Sequence, residues 1–123
     1  MIGSSIWARW MSSRRQAAES RLSCQTANAR INGLHDRLQL IQGGPESVAG
    51  TWPLVLANVL AAPLIEMAPT IVRRVAHHGH LVLSGIPASV EPDVVRAYSR
   101  LGMRLLRVRS RAGWVAIELL ATW

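Results

Sequence analysis

The chain has 123 residues, of which 50% are hydrophobic, and a formal net charge of +7. This length corresponds to about one domain, and the hydrophobic content excludes global disorder. The positive charge comes from arginine alone, because the sequence has no lysine, and it favours acidic partners such as RNA or an acidic protein face. Cys24 is the single cysteine, which excludes an intrachain disulfide and fits a reducing compartment.

Residues 1–23 form an amino-terminal segment to which the sequence assigns no fold, and residues 24–123 form the predicted domain. The segment contains serine and arginine but no acidic residue before Glu19, a composition typical of a mitochondrial transit peptide. Translation that starts inside a damaged or truncated gene would also place arbitrary residues here, and we prefer this explanation. The apolar run 53–65 is too short and too interrupted to span a membrane, so a cytoplasmic protein is expected.

The first predicted element is a helix from about Arg14 to Asn32, since these residues are mostly helix formers. Gly33 follows where a left-handed C-terminal cap would lie. The spacing of Ala27, Ile31 and Leu34 predicts the buried stripe of this helix.

Two strands are predicted next. Residues 37–42 alternate between polar and apolar side chains and end at Gly43-Gly44-Pro45, which predicts a strand from Arg37 to Gln42. Pro53 can begin the second strand, Leu54 to Ala57, because the first residue of a strand need not donate to the ladder.

A helix and a strand follow. Pro63 fits the first turn of a helix that runs to about Val75, and Pro69 should kink or shorten it. The turn at residues 77–79 then leads into an apolar strand, His80 to Ser84, suited to a sheet covered on both faces.

The carboxyl-terminal end is predicted as a helix and a hairpin. The helix runs from about Val90 to Leu101, and two strands, Met103 to Arg109 and Trp114 to Ala121, flank a glycine-containing connection. The resulting fold class is α/β, with a truncated doubly wound, mainly parallel sheet that ends in an antiparallel hairpin and edge strand.

Four runs of residues carry a family resemblance: Ala27–Leu34, Trp52–Leu60, Ala61–Pro69 and Leu81–Ile86. With them, residues 26–123 resemble the carboxyl-terminal half of the PrmA-type methyltransferases. The resemblance implies a class I methyltransferase fold and S-adenosylmethionine as cofactor. It further implies methylation of amino groups on a ribosomal large-subunit protein.

Asn58 is the residue to which this resemblance gives a catalytic role. In amino-group methyltransferases of this fold, the Asn of the Ala57–Leu60 motif and an adjacent backbone carbonyl orient the acceptor nitrogen, which makes Val59 and Leu60 its neighbours in the site. The nitrogen must present a neutral lone pair, and acceptors can orient its remaining N–H bonds. The alternative for Asn58 is an N-cap of the following helix.

Ser84, Gly85 and Ile86 resemble the family segment that ends the fifth strand beside the substrate cleft. Their alternative is an ordinary exit from a strand into a loop. His77, His78 and His80 are not interpreted as a metal site, because adjacent histidines diverge and no carboxylate or cysteine lies nearby in sequence.

Three features depart from the family pattern. Gln42-Gly43-Gly44 stands where the family has glycine and an acidic residue, and Pro53 stands where aspartate usually opens the fourth strand. Gly3 is the only glycine in residues 1–23, so no glycine-rich cofactor loop is recognised upstream of Asn58. We therefore expect the chain to be inactive alone and its own binding of S-adenosylmethionine to be doubtful.

Two alternatives to a methyltransferase stay open. The first is a noncatalytic basic module that contacts RNA or protein, with weak nucleic-acid contact through the arginines of the carboxyl-terminal half, at positions 96, 100, 104, 107, 109 and 111. The tryptophans are dispersed and indicate no base-stacking platform. The second is a gene remnant without a selected function. In the family's sheet, the strands that correspond to Arg37–Gln42 and Leu54–Ala57 have neighbours that this sequence does not show. The chain is therefore expected to self-associate through these strands.

Overall fold

The computed structural model describes residues 15–123, which contain four α-helices, four strands and two short 3-10 helices, Pro45–Ser47 and Ala88–Val90. The helices are α1 (Arg15–Ile31), α2 (Ala61–Glu66), α3 (Ala68–Val72) and α4 (Glu91–Ser99). The strands are β1 (Trp52–Asn58), β2 (Val75–Pro87), β3 (Met103–Arg111) and β4 (Trp114–Ala121). The amino-terminal segment falls largely outside this part, so its predicted character as an unassigned segment stays a prediction.

The four strands form one sheet in the order β1-β2-β4-β3. β1 and β2 are parallel, whereas β4 is antiparallel to both β2 and β3. The expected mainly parallel sheet is therefore wrong for the described residues, although the α/β class is confirmed. The predicted antiparallel edge strand is confirmed, because β3 of the hairpin forms one edge of the sheet and β4 lies inside it.

The predicted strand from Arg37 to Gln42 is wrong. This segment has no regular secondary structure and pairs with no described strand. An alternating sequence needs a neighbour to accept its backbone hydrogen bonds, and β1, the nearest candidate in sequence, pairs only with β2. The outer edge of β1 is consequently free of strand partners within residues 15–123.

Helix α1 confirms its predicted cap but not its predicted stripe. The Gly33 backbone is left-handed, and the N–H groups of Gly33 and Leu34 donate to the carbonyls of Arg30 and Ala29 at 3.0 and 2.8 Å, which is a Schellman motif. Ile31 is 82% exposed and Leu34 is half-exposed, whereas Ala29 is buried. The predicted stripe is wrong, because Ala27, Ile31 and Leu34 are all exposed and do not join the buried core of the described residues.

Pro63 and Pro69 act as the sequence predicts, whereas Pro53 is the second residue of β1, which begins at Trp52. The helix after β1 begins at Ala61, with Pro63 in its first turn, and is interrupted at Met67 so that Pro69 lies at the start of α3. β2 is longer than predicted, because the turn at 77–79 is an irregularity within the strand. His78 there has a φ of 54°, and the pairing with β1 changes register.

The core lies on one face of the sheet, beneath α2, α3 and α4. Leu81 and Leu83 of β2 alternate with half-buried neighbours and pack beside Ile117 and Leu119 of β4. The Tyr98 hydroxyl of α4 donates to a helix α2 carbonyl, that of residue 64, at 2.8 Å, and burial raises the pKa of Tyr98 above its ordinary value. This hydrogen bond ties the two helices together over the core.

The opposite face of the sheet, called the outer face below, carries the alternate residues. On β1 and β2 it includes Leu54, Leu56, Asn58, Val82 and Ser84, which are exposed or half-buried. Within residues 15–123, no helix has the length and apolar character needed to cross a membrane.

Candidate functional site

Asn58 and Ser84 lie side by side at the carboxyl ends of two parallel strands. They are direct register partners between β1 and β2. Neighbouring strands are about 4.8 Å apart, and register partners point to the same face of a sheet. The structure therefore brings two of the sequence-predicted site residues together on the outer face, at the edge where α/β enzymes place polar groups.

Gly85 lets the Asn58 side chain occupy this position. A Cβ atom at residue 85 would lie 2.5 Å from Asn58 Oδ1 and 3.7 Å from the Val59 carbonyl oxygen. Gly85 also has a φ of +76°, in the left-handed region that favours glycine. Two independent constraints thus require glycine here, and one of them is the Asn58 amide itself.

β2 and β4 change register between Leu83 and Ile86, beside this contact. The irregularity releases Ser84 and Gly85 from regular pairing with β4. Such bulges bend a strand and re-aim its side chains, often next to functional sites. Ser84 and Gly85 thus form a bulge rather than an ordinary exit from a strand, and this bulge contacts Asn58.

Asn58 does not cap α2. The N-cap residue of that helix is Leu60, with φ −59° and ψ 152°, and no side chain bonds to the first-turn N–H groups. Asn58 is exposed, and its amide makes no hydrogen bond with any described residue. The amide oxygen and nitrogen are consequently available to a ligand.

The other predicted site residues lie in different environments. Val59 is half-buried and packs against the core, and Leu60 is 70% exposed at the start of α2. Ile86 is fully buried opposite Val115, so its expected place in the substrate cleft is corrected to a place in the core. The bulge explains the difference, because it turns Ile86 to the core face while Ser84 stays on the outer face.

A groove with a volume of about 760 Å³ opens in front of Asn58 and Ser84. Its near wall is the end of β1 and β2, and its far wall is α1 with residues 38–40. Its polar lining residues are amides and a hydroxyl: Gln25, Asn28, Asn32, Gln39, Asn58 and Ser84. No carboxylate and no arginine lines the groove among the described residues.

Sequence reasoning missed the amides of α1. Gln25, Asn28 and Asn32 are spaced by three and four residues, so they share one helix face. That face is turned towards the groove. The spacing was a signal available in the sequence, but it was interpreted only as a helix end.

The described residues do not fit S-adenosylmethionine by themselves. The groove volume lies within the usual range for small-molecule sites. However, cofactors of this type are held by a glycine-rich turn and by a carboxylate that accepts from the ribose hydroxyls, and the described groove lining offers neither. The arrangement instead suits a neutral ligand that donates hydrogen bonds to amide oxygens.

The histidines of β2 form no metal centre with described residues. The rings of His77 and His78 pack edge to face with their centroids 4.0 Å apart. His80 Nδ1 lies 3.2 Å from Glu118 Oε1 on the outer face. The histidines thus contact each other or a single carboxylate.

Known proteins resemble the chain over most of its length. The family model described as ribosomal protein L11 methyltransferase (PrmA) matches residues 18–122. A ribosomal protein L11 methyltransferase from Rhizobium rhizogenes is 41% identical over 97 residues, which cover 75% of this chain and 33% of that protein. The chain thus spans about a third of the length of this relative.

Two solved structures share the fold. A ribosomal protein L11 methylase from Lactobacillus delbrueckii subsp. bulgaricus has a TM-score of 0.74 at 22% identity and covers 82% of this chain and 53% of that one. A SAM-dependent O-methyltransferase from Thermotoga maritima has a TM-score of 0.68 at 9% identity and covers 85% and 47%. At these identities the likeness establishes the fold alone, which is that of a methyltransferase.

Proposed function

The chain belongs to the ribosomal protein L11 methyltransferase (PrmA) family, and we propose that residues 15–123 contribute the amine-orienting side of a protein N-methyltransferase site. One observation supports this proposal above the others. The Asn58 amide lies over Gly85 at the carboxyl edge of the sheet and has no hydrogen-bond partner among the described residues. It faces a groove large enough for a small ligand or a side chain.

Asn58 Oδ1 would accept a hydrogen bond from the N–H of the acceptor amino group. This bond fixes the direction of the nitrogen lone pair relative to the sheet, which is a contribution of orientation. Ser84, one strand spacing away, supplies a hydroxyl that can accept a second N–H. The two side chains belong to paired strands, so their separation is set by the sheet.

The neutral lining of the groove favours the reactive form of the amine. An ammonium group is stabilised by a nearby carboxylate and destabilised by partial desolvation. Because no carboxylate lines the described groove, a bound amine would have its pKa lowered towards neutrality. The neutral amine is the form that carries a lone pair.

The family implies S-adenosylmethionine as the methyl donor, and its name implies ribosomal protein L11 as the substrate. We propose both for an enzyme that contains these residues together with the cofactor-binding features of its relatives. For the 123-residue chain alone we propose weak cofactor binding, because its described groove lacks the expected carboxylate. No comparison favours the noncatalytic role considered as an alternative.

The test uses a chimeric enzyme, in which the part of the Rhizobium rhizogenes relative that precedes its match is joined to this chain from the first matched residue onward. Asn58→Ala should lower kcat for methylation of L11 by about 100-fold, as expected when an acceptor is no longer oriented. Gln42→Ala removes an exposed amide outside the groove and should leave kcat unchanged. Circular dichroism checks that both variants fold.

Turnover of Asn58→Ala equal to that of Gln42→Ala would contradict the proposed role. A rise in KM without a fall in kcat would indicate that Asn58 binds the acceptor without orienting it for reaction.

A further inference from the structure

Four arginines of β3 lie on the same face of the sheet because of a β-bulge. Leu105 pairs with Leu119, but Arg107 pairs with Glu118, so residues 105 and 106 share one partner position. With strict alternation Arg104 and Arg107 would point to opposite faces. The bulge adds one residue and brings both, with Arg109 and Arg111, onto the outer face.

The register with β4 identifies this face. Val115, Ile117 and Leu119 of β4 are buried in the core, and the residues between them point outward. The arginines pair with those outward residues, which are Leu120, Glu118, Ala116 and Trp114 in the order of Arg104, Arg107, Arg109 and Arg111. We call these four arginines the arginine row.

The arginine row forms no ion pair within the described residues, and Glu118, opposite Arg107, is the one carboxylate among its register partners. All four side chains are exposed, and no described side chain forms an ion pair with any of them. Glu118, the carboxylate nearest in register, is engaged with His80 at 3.2 Å. The last three arginines follow one another at about 6.8 Å along the strand, so like charges repel and an anionic partner would relieve that repulsion.

Trp114 extends the row with an aromatic surface. It lies directly opposite Arg111, across a two-residue turn in which Ala112 and Gly113 have φ values of 50° and 81°. Its side chain is 54% exposed and makes no aromatic or cation–π contact with described residues. An indole held on a hairpin beside guanidinium groups is a surface on which a nucleobase can stack.

Charged side chains on an edge strand also prevent edge-to-edge aggregation. That role explains arginines on β3, but it does not require them to share a face or to end at an exposed indole. Anionic protein surfaces match the charge, yet they offer no regular series of planar rings. A single nucleic-acid strand supplies both, with successive phosphates spaced comparably to alternate residues of an extended β-strand.

We propose that the outer face of the β3–β4 hairpin binds single-stranded nucleic acid, with the arginine row on the phosphates and Trp114 stacked on a base. This function is distinct from that of the amine-orienting site, whose residues Asn58 and Ser84 lie on β1 and β2, whereas the arginine row lies on the edge strand β3.

The test measures fluorescence anisotropy of a labelled oligouridine strand titrated with the intact chain at several salt concentrations. Four phosphate contacts predict that the logarithm of the association constant falls with the logarithm of salt with a slope of about −3. Arg107→Gln should weaken binding and reduce that slope by about 0.7. Trp114→Ala should weaken binding about tenfold and leave the slope unchanged.

Arg96→Gln is the matched control, because Arg96 lies on α4, is paired with Asp93 at 3.1 Å, and contributes the same formal charge. It should change affinity less than twofold. Equal losses for Arg96→Gln and Arg107→Gln would overturn the proposal, since net charge alone would then explain binding. Displacement by polyglutamate at equal charge concentration, with no effect of Trp114→Ala, would also overturn it and indicate an acidic protein surface.

Discussion

The two ends of the described chain differ in how far their apolar residues are buried. In residues 75–121, alternate residues of β2 and β4 are almost fully buried beneath three helices. In residues 23–50, Ile31, Leu34 and Ile41 remain exposed or half-exposed, although this region also contains a regular helix. The difference is pairing in the sheet, because β2 and β4 each pair on both sides, whereas residues 23–50 contribute no strand to the described sheet.

This contrast separates local from non-local determinants of structure. The Gly33 cap needs only its own helix and forms. The segment 37–42 needs a partner strand and stays irregular despite its alternating sequence. The candidate site lies where the two regions meet, with its positioned residues on the paired strands and its far wall on the loosely packed helix.

The largest expected effect is a loss of stability when a buried isoleucine is truncated. An exposed isoleucine in the other region provides the comparison. Ile117→Ala removes a fully buried side chain and should lower the free energy of unfolding by about 2–5 kcal/mol. Ile31→Ala removes one that is 82% exposed and should change it by less than about 0.5 kcal/mol. Urea denaturation followed by circular dichroism measures both.

If Ile117→Ala does not fold, Ile117→Val gives the same comparison at an expected cost of about 1 kcal/mol. Similar losses for Ile31→Ala and the Ile117 variants would show that α1 is packed as firmly as the sheet.

A smaller effect is expected at the contact between the site residues. Gly85→Ala combines a left-handed backbone with a clash against Asn58 Oδ1, so it should cost about 2–3 kcal/mol of unfolding free energy. Gly113→Ala has a similar φ of +81° but open space around its Cβ position, and it should cost about 1 kcal/mol. Denaturation of the two variants isolates the contribution of the contact.

The double variant Gly85→Ala/Asn58→Ala should recover most of the difference, because the clash is with the Asn58 side chain. Equal costs for Gly85→Ala and Gly113→Ala would show that Asn58 does not lie over Gly85 in solution.

The smallest expected effect is self-association, which we propose to occur through the outer edge of β1. Among the described strands β1 pairs only with β2, and Leu54 on it is half-exposed. Size-exclusion chromatography with light scattering should show a mass that rises with concentration. Leu54→Lys should suppress this rise without lowering the unfolding free energy. A concentration-independent monomer with a sharp unfolding transition would instead mean that the four strands form a self-sufficient sheet.

Elements defined by local sequence were predicted well. β4 begins and ends where its alternation predicts, and Pro69 interrupts the helix as expected. Asn58 was placed correctly at the end of β1, because an apolar strand that ends in a polar residue before a helix has a recognisable pattern.

Features that depend on pairing were not predictable. The bulges at His78 and at Leu105 change which face later residues occupy, and no single-strand pattern specifies them. The same reason explains the error at Ile86, whose direction depends on how β2 leaves its register with β4. The dispersed arginines and Trp114 became one surface only once β3 and β4 were aligned.

The central claim is that the described residues hold the amine-orienting side of a methyltransferase site without the groups that hold the cofactor. Isothermal titration of the 123-residue chain with S-adenosylmethionine tests it most directly. We expect a dissociation constant in the millimolar range or no detectable heat, because each missing 1.4 kcal/mol of contact costs about tenfold in affinity. A low-micromolar dissociation constant would contradict the account and show that the neutral groove in front of Asn58 binds the cofactor unaided.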